Sequence, residues 1–193
     1  MCSNINFNVI AAVSDNRGIG DCGGVPWRIN GEVAFFKMTT IQTRDPKKKN
    51  AVIIGRVSWE CIPPKYRPLE RRLNVILTRN VDQFKQSVAG IPDIEVAESF
   101  DKALAIIEQH PNIESTWVIG GGEIYKLALE HPNCNQIYIT DIKKTFQCDT
   151  FFPDIDMSKF KLAVVTTKNE QNSIEFYHNI FKKIPNADDA PEN

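Results

Sequence analysis

Eight short runs rich in Val, Ile, Tyr and Phe recur along this chain, at residues 7–13, 51–54, 74–78, 94–97, 116–119, 136–140, 161–167 and 174–182. Several, such as Ala51-Val52-Ile53-Ile54, are apolar without alternation. An unbroken apolar run marks a strand covered on both faces, as parallel strands are. Helical patterns fall between the runs, at residues 31–40, 58–62, 100–109 and 122–130. Asn30 and Ser99 are suited to cap the starts of the first and third, while His110-Pro111 and His131-Pro132 stop the third and fourth. Helices inserted between buried strands require crossover connections, which build a mostly parallel sheet. The last two runs follow each other without a helix and predict an antiparallel hairpin joined by a loop at 169–172. The expectation is a single α/β domain over residues 1–184. Its mostly parallel central sheet has about eight strands with flanking helices and a C-terminal antiparallel hairpin. Residues 185–193, polar and acidic without periodicity, predict a disordered tail.

Length and charge narrow the function classes. A chain of 193 residues with 42% hydrophobic and 24% charged residues suits one well-buried domain. A formal net charge of -1 provides no broad field for nucleic acid or an anionic membrane. The basic run Lys47-Lys48-Lys49 is balanced by Asp45 and has no interleaved aromatic residues, so it reads as a solvated loop. The 5 cysteines are odd in number, scattered and without a C-x-x-C pair, which argues against both a metal site and a disulfide framework. No long apolar segment and no signal-peptide pattern is present, so the expected setting is reducing and cytoplasmic.

The candidate chemistry lies at helix starts and strand ends. Glu32 follows Gly24-Val25-Pro26-Trp27 by a few positions, in a helix whose apolar side carries Val33, Phe36, the Lys37 stem and Thr40. A carboxyl at the edge of such a surface must bond a ligand or lose its charge; the blander alternative is an acid favouring the helix dipole. Gly120-Gly121-Gly122-Glu123 follows an apolar strand and opens a helix, where free N–H groups attract phosphate. It is neither G-x-G-x-x-G nor a P-loop. Gly55-Arg56-Val57-Ser58-Trp59 repeats the strand–glycine–helix layout, and Leu77-Thr78-Arg79 ends another strand. Ligands of open α/β sheets bind beyond the carboxyl ends of strands, and guanidinium forks suit phosphate. Of the neighbours Arg71 and Arg72, one can face inward as a carboxylate clamp; the residues alone leave open which. The histidines His110 and His131 read as helix-end residues and His178 as a strand residue, and no hydrolase triad is supported.

Together the motifs resemble dihydrofolate reductase, over a stretch from about Asn6 to about Lys182. In order along the chain they are Ile10-Ala11-Ala12-Val13, Gly18-Ile19-Gly20, Val25-Pro26-Trp27, Glu32 with Phe36, Gly55-Arg56, Ser58-Trp59, Arg72, Thr78-Arg79, Gly120-Gly121-Gly122, residues 137–140 and Phe151-Phe152-Pro153. The resemblance implies NADPH-dependent reduction of 7,8-dihydrofolate to tetrahydrofolate, serving one-carbon and thymidylate metabolism. Hydride passes from the nicotinamide to the pterin, and a proton reaches the adjacent imine nitrogen from water.

By the same resemblance Glu32, with Trp27 and Thr140, forms the catalytic group, Thr140 backing the acid. Ile10, Val33, Phe36, Ser58, Ile62, Leu69, Ile119 and Tyr125 would line the folate pocket, and Arg72 would clamp the glutamate tail. Ala12, Ile19 and Gly20 would approach the nicotinamide. Gly55, Val57, Ser58, Gly120, Gly121, Gly122, Glu123 and Ile124 would surround the pyrophosphate. Arg56, Leu77, Thr78 and Arg79 would hold the 2′-phosphate. Residues 16–27 would close over the nicotinamide, and the Gly120–Gly121 bond would be cis. Departures are the short spacer Arg28-Ile29-Asn30-Gly31 and two acids, Glu123 and Glu98, on the cofactor side.

Because the sequence stops at Asn193, the single-function form is expected. A monomer that binds dihydrofolate and antifolate inhibitors, with no metal, membrane or nucleic-acid partner, completes the expectation. A pyrimidine reductase of the riboflavin pathway type and a non-catalytic nucleotide- or RNA-binding protein are the alternatives. Glu32, Arg72 and the paired arginines argue against both.

Overall fold

The computed structural model describes residues 3–185. Its strands are β1 (Phe7–Ser14), β2 (Gly18–Gly20), β3 (Lys49–Gly55), β4 (Arg72–Leu77), β5 (Ile94–Ala97), β6 (Ile113–Val118), β7 (Cys134–Ile142), β8 (Thr150–Phe151), β9 (Phe160–Val165), β10 (Asn169–Gln171) and β11 (Ile174–Lys183). The helices are α1 (Asn30–Ile41), α2 (Arg56–Cys61), α3 (Val81–Ser87), α4 (Phe100–Glu108) and α5 (Gly122–Glu130), with a 3-10 turn at Pro64–Tyr66.

The main sheet runs β10-β11-β7-β1-β6-β3-β4-β5, with β9 also paired to β11. Pairs from β7 through β5 are parallel, whereas β11 is antiparallel to β7, β9 and β10. The expected mostly parallel sheet with an antiparallel C-terminal end is therefore present, with nine strands rather than about eight. The loop expected at 169–172 is corrected: Asn169–Gln171 is strand β10, and the turn is Asn172-Ser173, both at positive φ (54° and 58°). Two left-handed residues match the twist of flanking hairpin strands, and Asn tolerates that conformation.

Strand alternation sends side chains to two buried faces. Phe7, Val9, Ala11, Ile53 and Val75 join Phe100, Leu104 and Ile107 of α4 and Tyr125 and Ala128 of α5 in the larger cluster. Ile10, Val52 and Trp117 meet Phe35 and Phe36 of α1 on the other side, beside a cluster of Ile54, Ile76, Trp59 of α2 and Phe84 of α3. This is why the strand runs lack a polar face. Asn30 is not the cap of α1. Ile29 holds that place, buried to 1% exposure, with no side-chain cap bond. The Gly31 amide instead donates to Gln171 Oε1 at 3.0 Å, so the helix start is satisfied by β10.

Among the described residues no helix is long and apolar enough to cross a membrane. Of the tail expected over 185–193, all but Pro185 lies outside the described residues.

Candidate active site

Because the central strands are parallel, their carboxyl ends share one edge of the sheet. Ala12 of β1, Gly55 after β3, Leu77-Thr78-Arg79 after β4, Ile119-Gly120 after β6 and Thr140 of β7 all lie there. The Gly55 amide donates to the Gly120 carbonyl at 2.8 Å, joining two of these ends. The Gly120–Gly121 bond is cis, and Gly120 has φ 123°, a conformation that glycine adopts without a Cβ clash. A Cβ on Gly121 would stand 2.6 Å from Ser58 Oγ, so the starts of α2 and α5 approach through a glycine surface. Val57 and Glu123 are exposed, Ser58 and Ile124 partly buried. Arg79 is exposed, and Arg56 is ion-paired with Glu60 on its own helix at 2.7 Å. Glu98 pairs with Lys102.

Helix α1 presents the half-buried Glu32. Its carboxyl forms no hydrogen bond or ion pair among the described residues, and burial pushes its pKa up to about 7. Ile10, Phe36, Leu69 and Ile119 gather in one cluster with Phe35 and Tyr138, and Ile62 and Ile119 both pack against the adjacent cluster. Val33 stands exposed on the helix. Tyr125 is buried, donates to the Ile10 carbonyl at 2.9 Å, and has its phenol pKa raised by burial and by Glu32. Arg72 is buried to 3% exposure while Arg71 is exposed, so Arg72 is the inward-facing one of the pair. The Arg72 pKa is lowered to about 10 by burial, so it remains cationic at neutral pH.

The segment between β1 and α1 is tied to β8 and to the end of α2. β2 pairs with β8, Cys22 N donates to Asp149 Oδ2 at 2.9 Å, and a Cβ on Gly23 would meet Cys61 Sγ at 2.9 Å. Ile19 packs on the larger core cluster and Gly20 is partly buried. Trp27 is buried, and its indole N–H has no acceptor among the described residues. A separate hollow of about 360 Å³ between α2 and α3, bounded by Trp59, Arg67 and Phe84, is lined by none of the expected catalytic, substrate-binding or cofactor-binding residues.

One expected partnership differs. Thr140 Oγ1 lies 3.0 Å from His178 Nδ1 and is not bonded to Glu32. His178 also stacks on Phe35 with ring centroids 3.7 Å apart and planes at 14°. In the sequence His178 reads only as a strand residue, and no motif marks Phe35. The available signal was a polar ring at an inward position of the alternation Ile174, Phe176, His178.

A mostly parallel sheet with a glycine-surfaced helix start beyond its central strands, and a half-buried, unpartnered carboxyl on α1, is the layout of an enzyme whose ligands bind at the carboxyl ends of the strands. The family model described as Dihydrofolate reductase matches residues 6–183. A dihydrofolate reductase of Heliothis virescens is 46% identical over 186 residues, covering 94% of this chain and 100% of the relative. That of Aedes albopictus is 38% identical over 188 residues, covering 93% and 98%. A bifunctional dihydrofolate reductase-thymidylate synthase of Daucus carota is 38% identical over 184 residues, of which this chain spans 34% of the relative's length. The chain belongs to the dihydrofolate reductase family.

Proposed function

We propose that this chain reduces 7,8-dihydrofolate to 5,6,7,8-tetrahydrofolate with NADPH, using Glu32 as the group that binds the pterin and handles its proton. The observation that carries this reading is the Glu32 carboxyl itself, half-buried, without a partner among the described residues and with its pKa pushed up to about 7 by desolvation, on the helix whose Phe35 and Phe36 pack into an aromatic and aliphatic cluster. A carboxyl in that state exists in both forms near neutral pH. It can pair with the amino and ring N–H groups of a pterin when ionised and hold a proton when neutral.

A nicotinamide cofactor fits the opposite wall. The Gly120–Gly122 surface lets backbone N–H groups at the start of α5 approach an anion, and a side chain on Gly121 would fill that space. Ser58 offers a hydroxyl at the same point. Arg79 and Thr78, with Arg56 once released from Glu60, offer donors suited to a 2′-phosphate, which favours NADPH over NADH. When bound, NADPH supplies the hydride. Ala12 and Ile19 would shape the nicotinamide end, while the residues 16–27 segment excludes water. Trp27 would offer its buried, unpartnered indole N–H as a donor near the start of α1. Arg72 would clamp the α-carboxylate of the folate tail, and antifolates bearing the same tail would use it too. We place the enzyme in the cytoplasm and treat it as a monomer.

The deciding experiment is NADPH oxidation with and without dihydrofolate, repeated with NADH. Oxidation that requires dihydrofolate and prefers NADPH is expected. Saturable NADPH binding without dihydrofolate-dependent turnover would overturn the reading.

A further inference from the structure

Ala12, Thr140 and His178 form a continuous row across β1, β7 and β11, each directly paired in register with the next. Helix α1 lies over this row. Phe35 stacks on the His178 ring, and Glu32 precedes Phe35 by three residues, on the same helix face roughly one turn away. The Thr140 hydroxyl thus stands between an imidazole and the acid side of the cleft. It has one hydrogen to donate and two lone pairs to accept with.

Only one proton can lie between Thr140 Oγ1 and His178 Nδ1, which are 3.0 Å apart. If Nδ1 is bare, the hydroxyl must point its hydrogen at the ring, and its lone pairs face outward to accept from a ligand N–H. If Nδ1 is protonated, the hydroxyl accepts from the ring, and its hydrogen is free to bond a carboxylate. Resting on the reading of Glu32 given above, we propose that His178 is a positioning residue: it fixes the direction of the Thr140 hydroxyl, reserving that oxygen for the substrate's amino group and withholding its hydrogen from Glu32.

Burial lowers the pKa of His178, which keeps the ring neutral at physiological pH. The groups around it favour the same state. From α1 it meets Phe35 and the Glu32 side of the helix. From β7 it meets Thr140, and its neighbours along β11 on the same face are Phe176 and Ile180. Thr166, after β9, bonds the His178 backbone twice: His178 N donates to Thr166 Oγ1 at 2.9 Å, and Thr166 N donates to His178 O at 3.0 Å. Asp141 and Glu175 project from the opposite face by strand alternation and are paired with Lys143 and Lys168. On the histidine's face β7 also carries Tyr138, whose phenol burial keeps neutral, and the acid on that side is Glu32 of α1. Nε2 has no partner among the described residues, which leaves it to carry the ring proton.

The test is the pH profile of the hydride-transfer step, followed in single turnovers. His178→Phe removes Nδ1 and frees the Thr140 hydroxyl to donate to ionised Glu32. The apparent pKa of that step should then fall by about one unit, the size of one hydrogen bond to a charged group. In a Thr140→Val background the same histidine change should leave the pKa where it was, because no hydroxyl remains. An unchanged pKa in the single variant, or an equal shift in both backgrounds, would overturn the proposal. The tautomer in the unaltered protein provides a second measurement, independent of how well the variants fold. Nitrogen-15 NMR should show a bare Nδ1 and a protonated Nε2 at neutral pH, and a protonated Nδ1 would equally overturn it. Glu32→Gln separates the two levels: if it keeps the parent pH profile, the reading of Glu32 fails, while the tautomer still reports on His178 alone.

Discussion

Arg72 donates from Nη1 to the Thr40 hydroxyl over 2.8 Å, and Thr40 in turn donates to the Phe36 carbonyl one helical turn back, also at 2.8 Å. The start of β4 is thereby tied to the C-terminal end of α1. Asn50 strengthens the junction by donating to the carbonyls of Thr40 and Gln42. Arg72 Nε donates to the Glu70 carbonyl at 3.1 Å, which leaves Nη2 for a ligand carboxylate.

That geometry sets different outcomes for two adjacent arginines. Arg72→Leu should weaken binding of dihydrofolate and of tail-bearing antifolates roughly 10-fold or more, the worth of a charge-assisted bond. Tailless lipophilic inhibitors should bind nearly as before. Arg71→Leu should do neither, since that side chain is exposed. Dissociation constants for both inhibitor kinds against both variants decide the matter. Equal losses for tailed and tailless ligands with Arg72→Leu would mean that the residue shapes the pocket and is no clamp.

Glu32→Gln should lower turnover at neutral pH by roughly 10²- to 10⁴-fold. The same change should stabilise the free protein. Burial raises the folded-state pKa from 4.5 to about 7, so folding favours the protonated acid. Stability of the parent protein is therefore greatest below the unfolded pKa. It declines as pH rises from about 4.5 to about 7, where the unfolded chain ionises first, and then levels off. Allowing for partial exposure of the side chain, the decline should be of order 2 kcal/mol, and the Gln variant should not show it. Denaturant melts of both proteins across this range provide the check.

Replacing Arg56 and Arg79 together with Ala should raise the Michaelis constant for NADPH roughly 10- to 100-fold and leave that for NADH nearly unchanged. Because Glu60 holds Arg56 in an ion pair, Glu60→Ala should by itself lower the NADPH constant. Equal losses for both cofactors in the double variant would make the arginines supports of the fold.

Gly121→Ala should weaken cofactor binding, because its Cβ would meet Ser58 Oγ at 2.6 Å. Adding Ser58→Ala removes that oxygen, and the Ser58 Cβ would be at an ordinary 4.0 Å. The double variant should therefore recover part of the affinity lost by Gly121→Ala. Cofactor titrations of the two single variants and the double variant test this coupling, and strictly additive losses would contradict it.

Much of this architecture was legible in the sequence because burial leaves a local trace. The unbroken apolar run Ala51–Ile54 and the 3.6-residue spacing of Phe100, Ala103, Leu104 and Ile107 announced β3 and α4 directly. Helix α3 escaped, although Val81, Phe84 and Val88 keep a helical spacing, because seven residues offer little else. The β2–β8 pairing was beyond reach, since two- and three-residue strands far apart in the chain have no periodicity to read. Strand ends and helix starts singled out Arg56, Arg79 and Gly120–Gly122 as candidates, and the fold brings them to the carboxyl ends of the parallel strands. The orientation of Thr140 depended on a cross-strand register with His178 that no local pattern encodes.

The central claim is that Glu32 governs proton delivery during dihydrofolate reduction, and single-turnover hydride transfer across pH tests it most directly. With NADPH and dihydrofolate both bound, the rate should be constant at acid pH and fall as pH rises through about 7, where Glu32 ionises. Glu32→Gln should be slow at every pH. A rate that stays level through neutral pH in the parent protein, or a Gln variant with the parent's rate and profile, would contradict the account.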